Sequence, residues 1–288
     1  MAVRYQHVGI AGSGRVARAM ALALAPRSAG PVLLWGRSAG HMQDAASAVG
    51  AAAADSIEGL VSSCDLIVIA VADTALAAVA AQLAEALAPG TEPFVCHVSG
   101  GSGAAILAPF ADRGALTAAV HPGMTFTGDP EQEALRMAGA RFAITAPDSE
   151  ALAEARTLVA LLGGIAVEIA EDRRALYHAA LSHAANHLVT LMSGASHALR
   201  AAGADEPEAL LAPLVRAALE NSLEHGFDAL SGPLLRGDTG TIRTHLAAIA
   251  HDCPDLLPAY RAMALATLDE LALAGKNPSP DLRTILNG

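Results

Sequence analysis

The stretch LSHAANHLVT, Leu181–Thr190, sets two histidines and an asparagine into an otherwise apolar run. On a helix, positions three and four apart share a face. His183, Asn186, His187 and Thr190 therefore form one polar stripe, while Leu181, Leu188, Val189, Leu191 and Met192 point elsewhere. Histidine is the side chain best tuned to move a proton near neutral pH, and an asparagine beside it can orient or polarise a carbonyl. The chemical reading of the stripe is a wet, reactive face. The bland reading is hydrogen-bonded packing or a contact between subunits. His-x-x-x-His can also hold zinc, but Ala184 stands where the glutamate of His-Glu-x-x-His would be, and spacing fixes no third ligand; no metal is expected.

A second constellation lies near the N-terminus. VGIAGSGRVARAM holds Gly12-x-Gly14-x-x-Ala17 directly after an apolar run and at the start of a helical one. Gly12 permits a tight turn, Gly14 lets a pyrophosphate approach the backbone, and Ala17 lets the helix pack closely on the strand. The helix N-terminus then attracts phosphate charge. Gly-x-Gly alone is weak evidence, but a strand before it and a helix after it make it a dinucleotide loop, with Ser13, Arg15 and Val16 as its other members. The second strand ends in LLWGRSAG, where an NAD site usually offers a carboxylate for the ribose. Arg37 and Ser38 occupy that place and suit a 2′-phosphate, so NADP is the expected cofactor.

Other candidates follow from where strands end. Val71, Ala72 and Asp73 follow DLIVIAV, and Ser99 and Gly100 follow PFVCHV, both at the sheet edge where such folds bind ligands. In SGPLLRGDTGTIRTHL, Arg236 could grip a substrate carboxylate as a bidentate partner. Asp238 reads as a helix N-cap, and Thr241 and His245 continue on that helix. Tyr177 and His178 read as packing or edge residues.

These groups need elements to position them. The 288 residues are 53% hydrophobic and only 3% aromatic, enough for a sizeable core of small side chains. The net charge of −11 and the lack of any basic cluster speak against nucleic acid. Cys64, Cys96 and Cys253 are scattered, which suggests reduced thiols in a cytoplasmic protein. No signal peptide is evident at the N-terminus, and Asp73 interrupts the most membrane-like run, so no membrane span is expected.

Through residue 170, β-like runs alternate with alanine-rich helical ones, predicting an α/β fold: a Rossmann-type, doubly wound parallel sheet. RFAIT and GIAVEI should extend it. From residue 171 an all-helical domain is expected, with helices near 172–199, 206–225, 239–251 and 254–274 and a kink at Pro213. KNPSPDLRTILNG reads as an irregular tail. The division is 1–170 for the nucleotide and 171–288 for substrate and dimerisation.

With these marks in place, the chain resembles the Rossmann-like family whose C-terminal half is a domain of unknown function. That family is similar to pyrroline-5-carboxylate reductases, prephenate dehydrogenases and 6-phosphogluconate-type dehydrogenases. GIAGSGRVARAM, HVSG, AVHPGMTF, LYHAALSHAANHLVT and SGPLLRGDTGTIRTHL carry the resemblance, which spans nearly the whole chain. It implies a homodimer formed by the helical domain. It also implies that the polar stripe lines a cleft against the nicotinamide.

Asn186 matches an asparagine of the 6-phosphogluconate-like enzymes, but Ser182 stands at their lysine, and the only lysine here is Lys276. His121 in HPGMTFTG is similar to the histidine-proline motif of prephenate dehydrogenases. The expectation is an NADPH-dependent reductase of a small carbonyl or imine acid, such as 2-ketopantoate. His183, Asn186, His187 and His121 would be catalytic, and Gly100, Thr190, Arg236, Asp238 and Thr241 would touch substrate. A non-catalytic NADP-binding sensor or assembly module is the competing expectation. Proton or group transfer on a nucleotide-bearing substrate is a third.

Overall fold

The computed structural model describes residues 3–288. It divides into two compact units, one ending at Ser182 and the other running from His183 to Gly288.

The first unit is built on eight strands: β1 Val8–Ala11, β2 Leu33–Trp35, β3 Ala52–Ala53, β4 Leu66–Ile69, β5 Phe94–His97, β6 Leu116–Pro122, β7 Arg141–Thr145 and β8 Ile165–Glu168. Their order in one sheet is β3-β2-β1-β4-β5-β6-β7-β8. Strand order therefore reverses between β1 and β4, which creates a crevice beyond their carboxyl ends. Helices α1 Arg15–Leu24, α2 Ala39–Ala48, α3 Ile57–Ser63, α4 Asp73–Glu85, α5 Ala108–Ala111, α6 Pro130–Met137 and α7 Ser149–Leu161 connect the strands. Leu66 and Val68 of β4 belong to one apolar cluster, and Ile67 and Ile69 to another. A strand buried on both faces reads as a continuous apolar run, which is why LIVI lacks alternation.

One expectation needs correction here. β7 pairs with β6 antiparallel, and β8 then runs parallel to β7. Apolar runs locate strands but carry no direction. The register explains the outcome: β6 pairs with β5 through Leu116–Ala119 and with β7 through Ala119–Pro122. The segment leaving β6 thus stays at the carboxyl edge of the sheet, and α6 packs against α1.

A long helix, α8 Arg174–Ala201, begins in the first unit and continues into the second. The second unit adds α9 Pro207–His225, α10 Pro233–Arg236, α11 Thr239–Asp252, α12 Leu257–Leu273 and α13 Pro280–Asn287. Pro213 lies inside α9 without ending it. The tail expected to be irregular forms α13 instead. Leu282, Ile285 and Leu286 fall three and four apart, and all three are buried against Ile242, Leu246, Leu268 and Leu271. Burial of that stripe outweighs the loop character of the preceding Asn277-Pro278-Ser279.

Candidate active site

Gly12 has φ +142°, and a Cβ there would meet the Ala70 carbonyl oxygen at 2.2 Å. Only glycine fits that turn, and its N–H donates to the Trp35 carbonyl at 2.7 Å. Ala17 is fully buried, so α1 lies close against the sheet. Gly14 caps α1 with no side-chain bond and has open space where a Cβ would stand. Neither an acidic side chain in the first turn nor a side-chain cap competes for the free N–H groups there.

In front of this loop is a cleft of about 430 Å³ lined by Gly14, Arg15, Val16, Ala70, Val71, Ala72, Asp73, Val98, Ser99, Gly100, His121, Phe126 and His178. Nine residues singled out from the sequence therefore converge: Gly14, Arg15, Val16, Val71, Ala72, Asp73, Ser99, Gly100 and His121. Arg15 Nη1 donates to the Phe126 carbonyl at 3.3 Å, tying the segment after β6 to the glycine loop. Ser13 sits within the loop, and its Oγ lies 3.8 Å from where a Cβ on Gly36 would be. At the end of β2, Arg37 and Ser38 are exposed. Ser38 caps α2 through its backbone while its hydroxyl makes no cap bond.

The far wall is the Ser99–Gly103 loop, and buried groups hold it from behind. Arg174 is 1% exposed. Its Nε donates to the Ser102 carbonyl at 2.9 Å, Nη1 to Ala143 at 3.2 Å and Nη2 to Ser99 at 2.6 Å. Glu171 accepts from the Ala104 and Ala105 N–H groups at 2.8 and 3.3 Å. His97, fully buried, accepts from the Ser99 N–H through Nδ1 and donates from Nε2 to the Gly103 carbonyl. Burial holds its pKa down at about 4.

His121 Nδ1 lies 2.9 Å from the Tyr177 hydroxyl. Burial pushes the imidazole pKa down to about 4, helped by the Arg174 guanidinium and the His178 ring. His178 packs across Gly100 and Gly101; a Cβ on Gly100 would stand 2.7 Å from His178 Cδ2 and 3.0 Å from His121 Nε2.

Tyr177 and His178 therefore do more than fill an edge. Arg174, Tyr177 and His178 are spaced three and four apart, the same spacing that marks the polar stripe one turn on. That signal was present in the sequence; the partners Gly100 and His121 come from distant segments and were not.

In the second unit, His183, Asn186, His187 and Thr190 share an exposed face of α8. His183 and His187 approach at 3.1 Å between their Nδ1 atoms, with the rings edge to face. Thr190 also lines a separate cavity of about 670 Å³ with His197 and Cys253. Asp238 caps α11, accepting from the Thr241 N–H at 3.0 Å and its hydroxyl at 2.7 Å, so these two residues satisfy each other. Arg236 is exposed, and His245 bonds the Tyr260 hydroxyl through Nδ1 at 2.8 Å. No group of three or more metal-ligating side chains occurs among the described residues.

Residues 2–122 match the Rossmann-like domain family, and residues 140–267 match a domain of unknown function, DUF2520. No curated protein matches the chain. Among solved structures, a Bacteroides fragilis protein provisionally assigned as an NADP oxidoreductase is 18% identical, with TM-score 0.77 over 92% of this chain and 98% of that one. A reductive aminase from Aspergillus terreus, solved with NADPH and ethyl-5-oxohexanoate, is 19% identical, with TM-score 0.68 over 98% of both chains. A pyrroline-5-carboxylate reductase from Coxiella burnetii is 16% identical, with TM-score 0.57 over 97% of this chain and 96% of that one.

Proposed function

The chain joins a Rossmann-like domain to a DUF2520 domain, and from that premise we propose that it is an NADPH-dependent reductase of a small carbonyl or imine compound. The observation that carries this reading is the open glycine loop at the sheet's reversal point, with Arg37 and Ser38 ending the neighbouring strand. The free N–H groups of the α1 start and the bare Gly14 fit a pyrophosphate. Arg37 and the unengaged Ser38 hydroxyl fit a 2′-phosphate, and no carboxylate stands there to repel it. The nicotinamide, when bound, supplies a hydride to the substrate carbon, and one proton completes the reduction at the oxygen or nitrogen.

His121 faces the cleft and polarises the acceptor atom. The exposed pair His183 and His187 is assigned the proton, with Asn186 and Thr190 as substrate contacts; their shared exposed face supports this. Arg236 is assigned a substrate carboxylate, since it is exposed and among the described residues makes no ion pair. Similar structures include an imine reductase and a reductive aminase holding NADPH, both from Aspergillus terreus. They support the reaction class, while neither they nor any residue in the cleft favours ketopantoate over other small carbonyl compounds.

A homodimer belongs to the same reading. Of the nineteen residues in α9 only Pro207 is buried. Leu210, Leu214, Leu219 and Leu223 are 57%, 66%, 48% and 79% exposed. They fall on two opposite faces, and a helix apolar on both faces is stable only when covered. The three free thiols agree with a cytoplasmic location.

Titration of the protein with NADPH and NADH tests the cofactor assignment. NADPH should bind more tightly, and Arg37→Ala should weaken NADPH roughly tenfold to a hundredfold while leaving NADH unchanged, as expected for a lost charged hydrogen bond. Equal weakening of both nucleotides would remove Arg37 from 2′-phosphate recognition.

A further inference from the structure

We infer that Tyr177 is a positioning residue that locks the His121 imidazole in its Nε2–H tautomer, so that the cleft presents a neutral hydrogen-bond donor to an acceptor on the substrate. The inference rests on the cleft being the substrate's site, as proposed above, and adds which group of the substrate docks there.

A phenol hydroxyl has one proton to donate, and a neutral imidazole has one N–H and one acceptor nitrogen. The Tyr177 hydroxyl has one hydrogen-bond partner among the described residues, His121 Nδ1, at 2.9 Å. Burial raises the tyrosine pKa, so the phenol keeps its proton. With Tyr177 donating, Nδ1 is the acceptor and the ring's own proton must sit on Nε2. Nε2 has no hydrogen-bond partner among the described residues, and it lies beside Gly100, where a methyl group would come within 3.0 Å of it. Both residues line the cleft.

The surroundings keep the ring neutral. Burial, the Arg174 guanidinium, and the His178 and His97 rings all oppose a second proton, and Asp73 alone favours it. Arg174 also lies over the Tyr177 ring, 5.5 Å from its centroid. A neutral donor backed by a buried cation suits a carbonyl oxygen or a carboxylate and disfavours an ammonium or protonated iminium group. Such a ring stabilises negative charge developing on oxygen through Nε2–H, while its low basicity makes it a poor store for the reaction's proton.

The tautomer can be read without any substrate. Nitrogen-15 imidazole spectra of the full-length protein should show His121 with protonated Nε2 and unprotonated Nδ1 throughout pH 5.5–8. Tyr177→Phe removes the donor, and the Nε2–H signature should give way to a mixture. Turnover of a carbonyl substrate should fall about tenfold in kcat with the KM for NADPH unchanged. A protonated Nδ1 in the wild-type protein, or a Tyr177→Phe spectrum identical to wild type, would overturn the inference. The wild-type spectrum decides the matter even if the variant does not fold. Failure of NADPH to bind, with Nε2–H still observed, would count against the proposed function and leave the tautomer intact.

Discussion

At the residue scale, the buried His97 and the half-buried His121 shape the first unit's response to acid. His97 is fully buried with both ring nitrogens engaged, and its pKa is held at about 4 against 6.5 when unfolded. The unfolded chain therefore takes up a proton that the folded chain refuses. The stabilising contribution is complete above pH 6.5 and is lost progressively as pH falls toward 4. At about 1.4 kcal/mol per pKa unit this reaches about 3–4 kcal/mol at most. His121, also held at about 4, adds a contribution of the same sign. Urea unfolding between pH 7.5 and 4.5 should show the wild type losing stability through this window. His97→Asn should start lower but lose distinctly less; an equal loss in both would show that His97 does not titrate as its burial requires. The glycine loop was legible in the sequence because its geometry demands a residue type: Gly12, at φ +142° against the Ala70 carbonyl, admits no other. Tyr177, His178 and Arg174 were harder to read. Their value comes from His121, Gly100 and the carbonyls of Ser99 and Ser102, which only the folded sheet brings near.

At the element scale, period and burial explain both what was legible and what was not. The apolar runs located seven strands, and β3, only two residues long, leaves almost no pattern to read. Nothing in RFAIT marks it as antiparallel to its neighbour. Its direction follows from the short path through α6, which returns the chain to the same edge of the sheet. The C-terminal helix α13 was hidden behind Pro278 and Pro280, though Pro280 suits the first turn of a helix. Its buried stripe closes the core of the second unit. Leu282, with no exposed surface, should cost about 2–5 kcal/mol when replaced by alanine, measured as a lower urea midpoint for the full chain. A change below about 0.5 kcal/mol, the level of an ordinary surface substitution, would show that α13 does not pack as described.

At the scale of the whole molecule, the charge balance sets the terms for binding. A chain of net charge −11 does not attract an anionic dinucleotide from a distance, so the proposed recognition rests on local groups: the free N–H groups of α1, Arg15 and Arg37. Among the described residues no helix is long and apolar enough to cross a membrane. In the proposed reaction hydride passes from NADPH to a small acceptor in the cleft beside His121. The most direct measurement uses NADPH carrying deuterium at nicotinamide C4, with each C4 face labelled in turn, incubated with the protein and a panel of small keto acids, ketones and imines. Mass spectrometry then follows the label. One deuterium is expected on the former carbonyl or imine carbon of a product, from one labelled face only. Tight binding of NADPH with no deuterium leaving it across the panel would contradict that reaction, and would favour a protein that senses the nucleotide without consuming it.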